Sequence, residues 1–187
     1  MGISDWLRRG KCEVETTAEM TVNLISIGGT SELSYVFIDV PTEDVLRAID
    51  GWKWLPLQNL SAIAVSAFGE VFFSDPMGAI HQIDTIDGKL SKVANSLPEL
   101  TAMLQDAEVR DSLLFGGLVI GARNEGLMLE AGECYDFKVA PVLGGQMRVD
   151  EMQKLSFVVK LHIAGQLHEQ IKDLPPGTRI NKVTMSS

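Results

Sequence analysis

The chain has 187 residues, 45% of them hydrophobic and 22% charged, which is enough to bury one ordinary domain and excludes the disordered class. No apolar run reaches the roughly 18–20 residues of a membrane helix, and the N-terminus lacks a signal peptide's apolar core, so we expect a cytoplasmic protein without membrane contact. The net charge of −9 argues against nucleic acid as a direct ligand, because phosphate binding needs clustered Lys and Arg.

The N-terminal third predicts two β runs, a short helix and a tryptophan pair. The β runs lie within residues 20–40 and would be joined by a turn at 28–29, where two glycines follow each other. Capping Thr and early acidic residues predict a helix over 42–51. Trp52 and Trp54 stand at i and i+2. We interpret them as core anchors, with stacking on a sugar or base as the alternative.

Residues 60–93 carry the strongest β signal of the chain. Short runs rich in apolar or alternating residues are separated by turn residues such as Gly69, Pro76, Gly78 and Gly88. This spacing predicts an antiparallel meander of three or four strands.

The pattern then becomes helical, and later mixed. Ser96 with Pro98 and Glu99 predicts a helix N-terminus, and further helical stretches are expected over 108–118 and 120–129. The remaining segments predict a strand at 134–139, a second over 154–162, and a final helix over 165–172 that begins after a break at Gly165 and ends before Pro175. The predicted class is α+β: an antiparallel sheet with helices packed on one face.

The histidines are the first candidates for chemistry. His162 and His168 are six residues apart and would straddle the break at Gly165, whereas helical metal ligands stand three or four residues apart. Position 172, where a second ligand would follow His168, is lysine. We favour structural or surface roles. A metal site that recruits His81 or Cys134, and a general base, remain open alternatives.

Other catalytic patterns are missing from the sequence. There is no nucleophile elbow, and the glycines over 116–121 lack the Lys-Ser/Thr of a phosphate loop. Cys12 and Cys134 lack CxxC spacing, and we expect reduced, structural thiols rather than a disulfide or a reactive group. We therefore predict a protein that is not an enzyme and that needs no cofactor or metal.

Several sequence blocks together carry a family resemblance. They occur in a fixed order, at residues 52–55, 67–73, 78–85, 140–145 and 162–178. Over residues 50–181 the chain resembles the C-terminal domain of bacterial type VI secretion immunity proteins, whose named members neutralise a secreted DNase effector. It is more weakly similar to the SUKH superfamily of immunity and scaffold proteins. The positions that carry the resemblance are Gly69, Gly78, Pro141, Gly144, Gly145, Gly165, Gln166, His168, Pro175 and Gly177.

The resemblance also frames the domain organisation. Residues 51–187 would form the immunity-type α+β domain, and residues 1–50 either an N-terminal extension or the first part of the same domain. Two departures bear on the partner: the run at 146–152 lacks the aromatic residue and asparagine common in the family, and residues 1–50 do not match its upstream amidotransferase-like module. The resemblance therefore leaves the identity of a cognate toxin open.

The resemblance implies a non-catalytic protein that binds and neutralises a cognate toxin, a basic nuclease being the expected class. The chain would act as a monomer or weak dimer. A scaffold or regulatory domain of the same fold is the alternative, and a small metal-dependent enzyme using the histidines is a third. For a basic partner, acidic residues at turns and strand ends are the candidate contacts: Asp75, Asp84, Asp87 and Asp136.

Overall fold

The structure is a computed structural model that describes residues 21–22, 33–175, 177–180 and 182–185. Cys12 and the expected glycine turn at 28–29 lie outside these residues. The described strands are β1 (Thr21–Val22), β2 (Phe37–Ile38), β3 (Ser61–Ser66), β4 (Val71–Ser74), β5 (Ile80–Asp84), β6 (Lys89–Ala94), β7 (Glu133–Phe137) and β8 (Met152–Ser156). The described α-helices are α1 (Thr42–Ile49), α2 (Leu97–Met103), α3 (Ala107–Leu114), α4 (Gly116–Asn124) and α5 (Phe157–Ile171).

The main sheet is built on the predicted meander. Strands β3 to β6 pair antiparallel in chain order, which confirms the prediction for residues 60–93. Two short strands share the outer edge of β3: β2 pairs antiparallel with its end and β1 pairs parallel with its start. The sheet thus has five antiparallel strands and one parallel edge strand, and the α+β class is confirmed.

The helices cover both faces of this sheet, so the expectation of a single helical face is wrong. On β4, Phe72 packs in a core with residues of α2, α3 and α4. Its neighbours Val71 and Phe73 belong to a second core with α1 and α5. The physical reason lies in the composition of the central strands. Consecutive residues of β3 and β4 are buried, so both faces are apolar and both need a cover.

The second sheet is a two-stranded ribbon that joins the helical layers. Strands β7 and β8 pair antiparallel over their full lengths. The backbone N–H of Tyr135 donates to Ala67 O at 2.8 Å, which ties β7 to the residue that follows β3. The loop between β7 and β8 contains two 3₁₀ turns, at Pro141–Leu143 and Val149–Glu151.

Helix α2 has the predicted cap, whereas the bounds of α3 and α4 differ from the prediction. The Ser96 hydroxyl accepts a hydrogen bond from the Glu99 N–H at 3.3 Å and caps α2, as expected. The stretch predicted over 108–118 is divided, because Phe115 adopts a left-handed φ of 53° between α3 and α4. The glycine-rich run that follows lies within α4, so these glycines belong to a helix and not to a phosphate loop.

Helix α5 differs most from the sequence prediction. It begins at Phe157, so the strand expected over 154–162 ends at Ser156, and Gly165 lies in the middle of the helix rather than at a break. A Cβ at Gly165 would lie 2.3 Å from Gly51 O. The glycine therefore allows two backbones to touch and does not interrupt the helix.

The tryptophan pair holds α5 against this glycine contact. The Trp52 indole donates to Leu161 O at 2.8 Å and the Trp54 indole to Gly165 O at 3.1 Å. The two rings stack with centroids 5.7 Å apart. Trp52 is fully buried and ends a 3₁₀ turn at Asp50–Trp52. The role of core anchor is confirmed for Trp52, while the partly buried Trp54 packs against the same core from its edge.

Within the described ranges, the chain has no helix with the length and apolar character needed to span a membrane.

Candidate functional site

The three histidines lie in three separate environments. His81 Nε2 is 3.1 Å from Asp75 Oδ2, and Gln166 Nε2 donates to His162 Nε2 at 2.6 Å. His168 is buried, and its Nε2 donates to Thr85 O at 3.0 Å. His162 and His168 share α5, but a separation of six residues places them about 120° apart around the helix axis. Among the described residues, no group of three or more His, Cys, Asp and Glu side chains could hold a metal ion.

A buried polar cluster links α5 to the main sheet. Lys160 is only 5% exposed, and its ammonium donates to Phe68 O and, at 2.9 Å, to Thr85 Oγ1. Thr85 also accepts the His168 bond through its carbonyl oxygen. These contacts fasten the turn after β3 and the turn after β5 to one helix face. Satisfied buried hydrogen bonds of this kind fix a geometry more than they supply net stability.

Glu70 is the acidic member of this cluster. Burial raises the pKa of its carboxyl to about 7, against the opposing effects of the Lys160 charge and of the Ser66 hydroxyl, which donates to it. Burial also lowers the pKa of His168, so this imidazole stays neutral at physiological pH. Burial also raises the pKa of the Cys134 thiol to about 12. The thiol is therefore protonated at neutral pH and is a poor nucleophile.

An apolar cleft opens beside the cluster. We name it the α5 cleft: it has a volume of about 70 Å³ and lies between α5, the turn after β5 and the loop at residues 140–142. Its lining residues are Thr85, Ile86, Asp136, Ala140, Pro141, Val142, Leu155, Lys160, Ile163, Ala164, Leu167 and His168.

Several positions that carry the family resemblance meet at this cleft. Pro141 and His168 line it directly. Gly144 and Gly145 shape the loop above it: Gly144 has a φ of 92°, and a Cβ at Gly145 would lie 1.8 Å from Val139 O. Both positions therefore require glycine. The remaining positions lie in turns, along α5 or in the segment that follows it.

The four acidic candidates separate into two groups. Asp75 lies in the turn before β5, where its Oδ1 accepts hydrogen bonds from Met77 N and Ala79 N, both at 2.9 Å. Asp84 and Asp87 lie at the other end of β5. Asp75 therefore does not share a surface with the other carboxylates at the ends of this strand.

The acids at the far end of β5 lie near the cleft. Asp84 accepts from Ile86 N at 2.9 Å, and Asp87 pairs with Lys89 at 2.5 Å. Both carboxylates act electrostatically on His168. Asp136 lines the cleft, and desolvation raises its pKa against the effect of the Lys160 charge. The structure thus brings three of the four candidates to one end of the sheet.

Sequence reasoning missed Lys160 and Glu70. From the sequence, Glu70 follows the turn residue Gly69 and gives no sign of burial, and Lys160 falls in the strand expected over 154–162. A signal for Lys160 existed: the buried residues of α5 follow helical spacing, and this lysine lies on the buried stripe between Phe157 and Leu161. The stripe is hard to find in the sequence because one of its members, Lys160, is charged, and charged residues are normally assigned to the exposed face of a helix.

Comparison with known families bears directly on this region. Residues 94–168 match the family model described as T6SS immunity protein Tdi1, C-terminal. The resemblance to the type VI secretion immunity family is confirmed for this segment. The Tdi1-type segment contains α2 to α4, β7, β8 and most of α5, and it supplies every residue of the α5 cleft except Thr85 and Ile86. The match supports an immunity role.

No curated protein sequence matches the chain. A solved structure with a similar arrangement is the crystal structure of Atu4351 from Agrobacterium tumefaciens, at 18% identity and a TM-score of 0.46, covering 71% of this chain and 68% of that one. At this distance the structural match says nothing about function.

Proposed function

We propose that this protein is a non-catalytic immunity protein that binds a cognate secreted effector and neutralises it in the cytoplasm of the producing cell. The observation that carries the proposal is the family match over residues 94–168. The protein acts by occupying the effector's surface, as a monomer in a one-to-one complex.

The target class we propose is a basic nuclease. A nuclease toxin carries positive charge because its substrate is a polyanion, and this chain carries a net charge of −9. Opposite charges accelerate encounter and favour the correct partner. The same negative charge opposes direct contact with DNA. The protein would therefore inhibit by binding the toxin and not by covering the DNA.

The proposal of a non-catalytic mode draws support from the polar groups beside the cleft. Lys160, Thr85 and His168 use their hydrogen-bonding atoms on one another and on the backbone. A general acid or base needs a proton that a substrate can reach. Groups that are buried and bonded in this way serve rigidity, which is what an inhibitor surface requires.

Complex formation with a cognate toxin tests the proposal. The purified protein is mixed with the inactivated product of the gene adjacent to its own, which we expect to encode the effector, and affinity and stoichiometry are measured by calorimetry. We expect a one-to-one complex with a dissociation constant in the nanomolar range or below. An effector of an unrelated immunity pair is the matched control and should not bind. Lack of binding to the adjacent-gene product would contradict the proposal and favour a scaffold with a non-toxin partner.

A further inference from the structure

Exposed aliphatic side chains surround the α5 cleft. Val142 and Ile163 line it and are each 40% exposed. Val139, Leu143 and Val159 are further exposed aliphatic residues in the same loop and on the same helix. Val159 and Ile163 stand at i and i+4, so they share one face of α5. An apolar surface that continues into a cleft is typical of a protein-binding site.

The walls of the cleft are fixed before any partner arrives. Lys160 and His168 both bond to Thr85, which fastens α5 to the turn after β5. The loop wall is held by the close approach of Gly145 to Val139 O. Rigid walls reduce the ordering cost of binding, so such a cleft can contribute strongly to affinity.

The charges around the cleft favour a basic neighbour. Lys160 directs its ammonium to buried acceptors, and Lys89 pairs with Asp87 at 2.5 Å and lies 3.9 Å from Asp84. Asp136 lines the cleft and, within the described ranges, forms no ion pair within 4.0 Å. A cation brought by a partner would therefore find a carboxylate that no ion pair occupies, although the buried Lys160 charge acts on it from a distance.

We infer that the cognate effector docks on this face, inserts one aliphatic side chain into the α5 cleft, and places a lysine or arginine against Asp136. This inference rests on the proposed immunity function and names its contact surface. The cleft has a volume of about 70 Å³ and a mostly apolar lining, which suits a single aliphatic side chain.

Two isoleucines provide a matched test. Ile163 on α5 and Ile120 on α4 are both exposed helical residues within the family-matched segment, at 40% and 48% exposure. Affinity for the inactivated adjacent-gene toxin is measured for Ile163→Asp, Ile120→Asp and wild type. We expect Ile163→Asp to weaken binding by about 30-fold or more, as for an interface hot spot. Ile120→Asp should stay within about threefold of wild type.

Two more variants protect the test against misfolding and examine the charge. Val142→Asp changes the loop wall instead of the helix and should weaken binding as strongly as Ile163→Asp. Asp136→Asn should weaken binding by about 10-fold at low salt and by less at high salt. Equal affinities for the folded cleft variants and Ile120→Asp would overturn the docking surface. If the wild-type protein itself does not bind, it is the immunity function that fails.

Discussion

The backbone contact between Gly165 and Gly51 shows how a single residue type fixes the position of a helix. A Cβ on either glycine would meet backbone atoms of the other segment within about 2.5 Å, at His162 O in one case and at Gly51 O in the other. Backbone atoms cannot move aside as a flexible side chain can. Glycine at position 165 therefore determines how closely α5 approaches the turn before Trp52.

Gly165→Ala should destabilise the fold even though alanine favours helices. Intrinsic propensity would gain about 1 kcal/mol, but overpacking against Gly51 should cost more, for a net loss of about 1–3 kcal/mol in the free energy of unfolding. Urea denaturation of the variant and of wild type measures this loss. Gly116→Ala is the control, because the nearest atoms to its Cβ would lie at 3.5 Å, an ordinary contact. A stability of Gly165→Ala equal to or above wild type would contradict the close packing.

Glu70 provides the second residue-scale test, because its environment couples stability to pH. The folded-state pKa of about 7 lies above the ordinary value of 4.5, so the folded protein holds this proton more tightly than the unfolded chain. The stabilising contribution is therefore full below about pH 4.5 and is lost as the pH rises to about 7.

Glu70→Gln should remove this pH-dependent contribution to stability, because glutamine does not titrate. Between about pH 4.5 and about pH 8, the free energy of unfolding of wild type minus that of the variant should fall by about 3 kcal/mol. Denaturant melts of both proteins across this range measure it. His168, whose pKa is lowered by burial, gives an opposite trend, but it is present in both proteins and cancels in the difference. A difference that stays flat with pH would show that Glu70 does not titrate there.

At the scale of elements, the meander was predictable and α5 was not, for a physical reason. Strands β3 to β6 are short and bounded by Gly, Pro and Asp turns, so local sequence determines them. In α5, Phe157, Val159 and Leu161 alternate as in a strand, while the true buried stripe includes Lys160 and Gly165. A lysine and a glycine do not register as apolar, and only tertiary contacts reveal them as core positions.

The candidate site was predictable only in part, because its components are distant in sequence. The acids at Asp84, Asp87 and Asp136 follow from turn and strand-end positions. The cleft beside them forms from the turn after β5, the loop at 140–142 and α5. Sequence spacing cannot indicate that these three segments meet. The expectation that helices cover one face was wrong for a similar reason. Strands that are apolar on both faces indicate that both faces are covered, but they do not indicate which helices cover them.

Helix α1 leads to a prediction about the domain boundary. Its buried residues Val45, Ala48 and Ile49 pack in one core with Phe157 and Leu161 of α5. We propose that residues 33–50 belong to the same domain as residues 51–187. A variant lacking residues 1–50 should lose cooperative thermal unfolding, because it exposes this core. Cooperative unfolding of the shortened chain at an unchanged midpoint would identify residues 1–50 as a dispensable extension.

At the scale of the whole molecule, the net charge of −9 predicts electrostatic steering. The association rate constant with a basic effector should fall about 10-fold or more between about 50 mM and about 500 mM salt, because the longer-range attraction is screened. The dissociation rate constant should change much less, since the apolar cleft contact is insensitive to salt. Stopped-flow kinetics separate the two. An association rate constant that does not depend on salt would show that charge does not steer this protein to its partner.

The most direct test of the immunity account is a titration of nuclease activity. The product of the adjacent gene, which we expect to be the nuclease effector, is mixed with plasmid DNA and increasing amounts of this protein, and cleavage is followed on a gel. Cleavage should fall in proportion to added protein and end at an equimolar ratio. Undiminished cleavage at a several-fold excess of folded protein would contradict it.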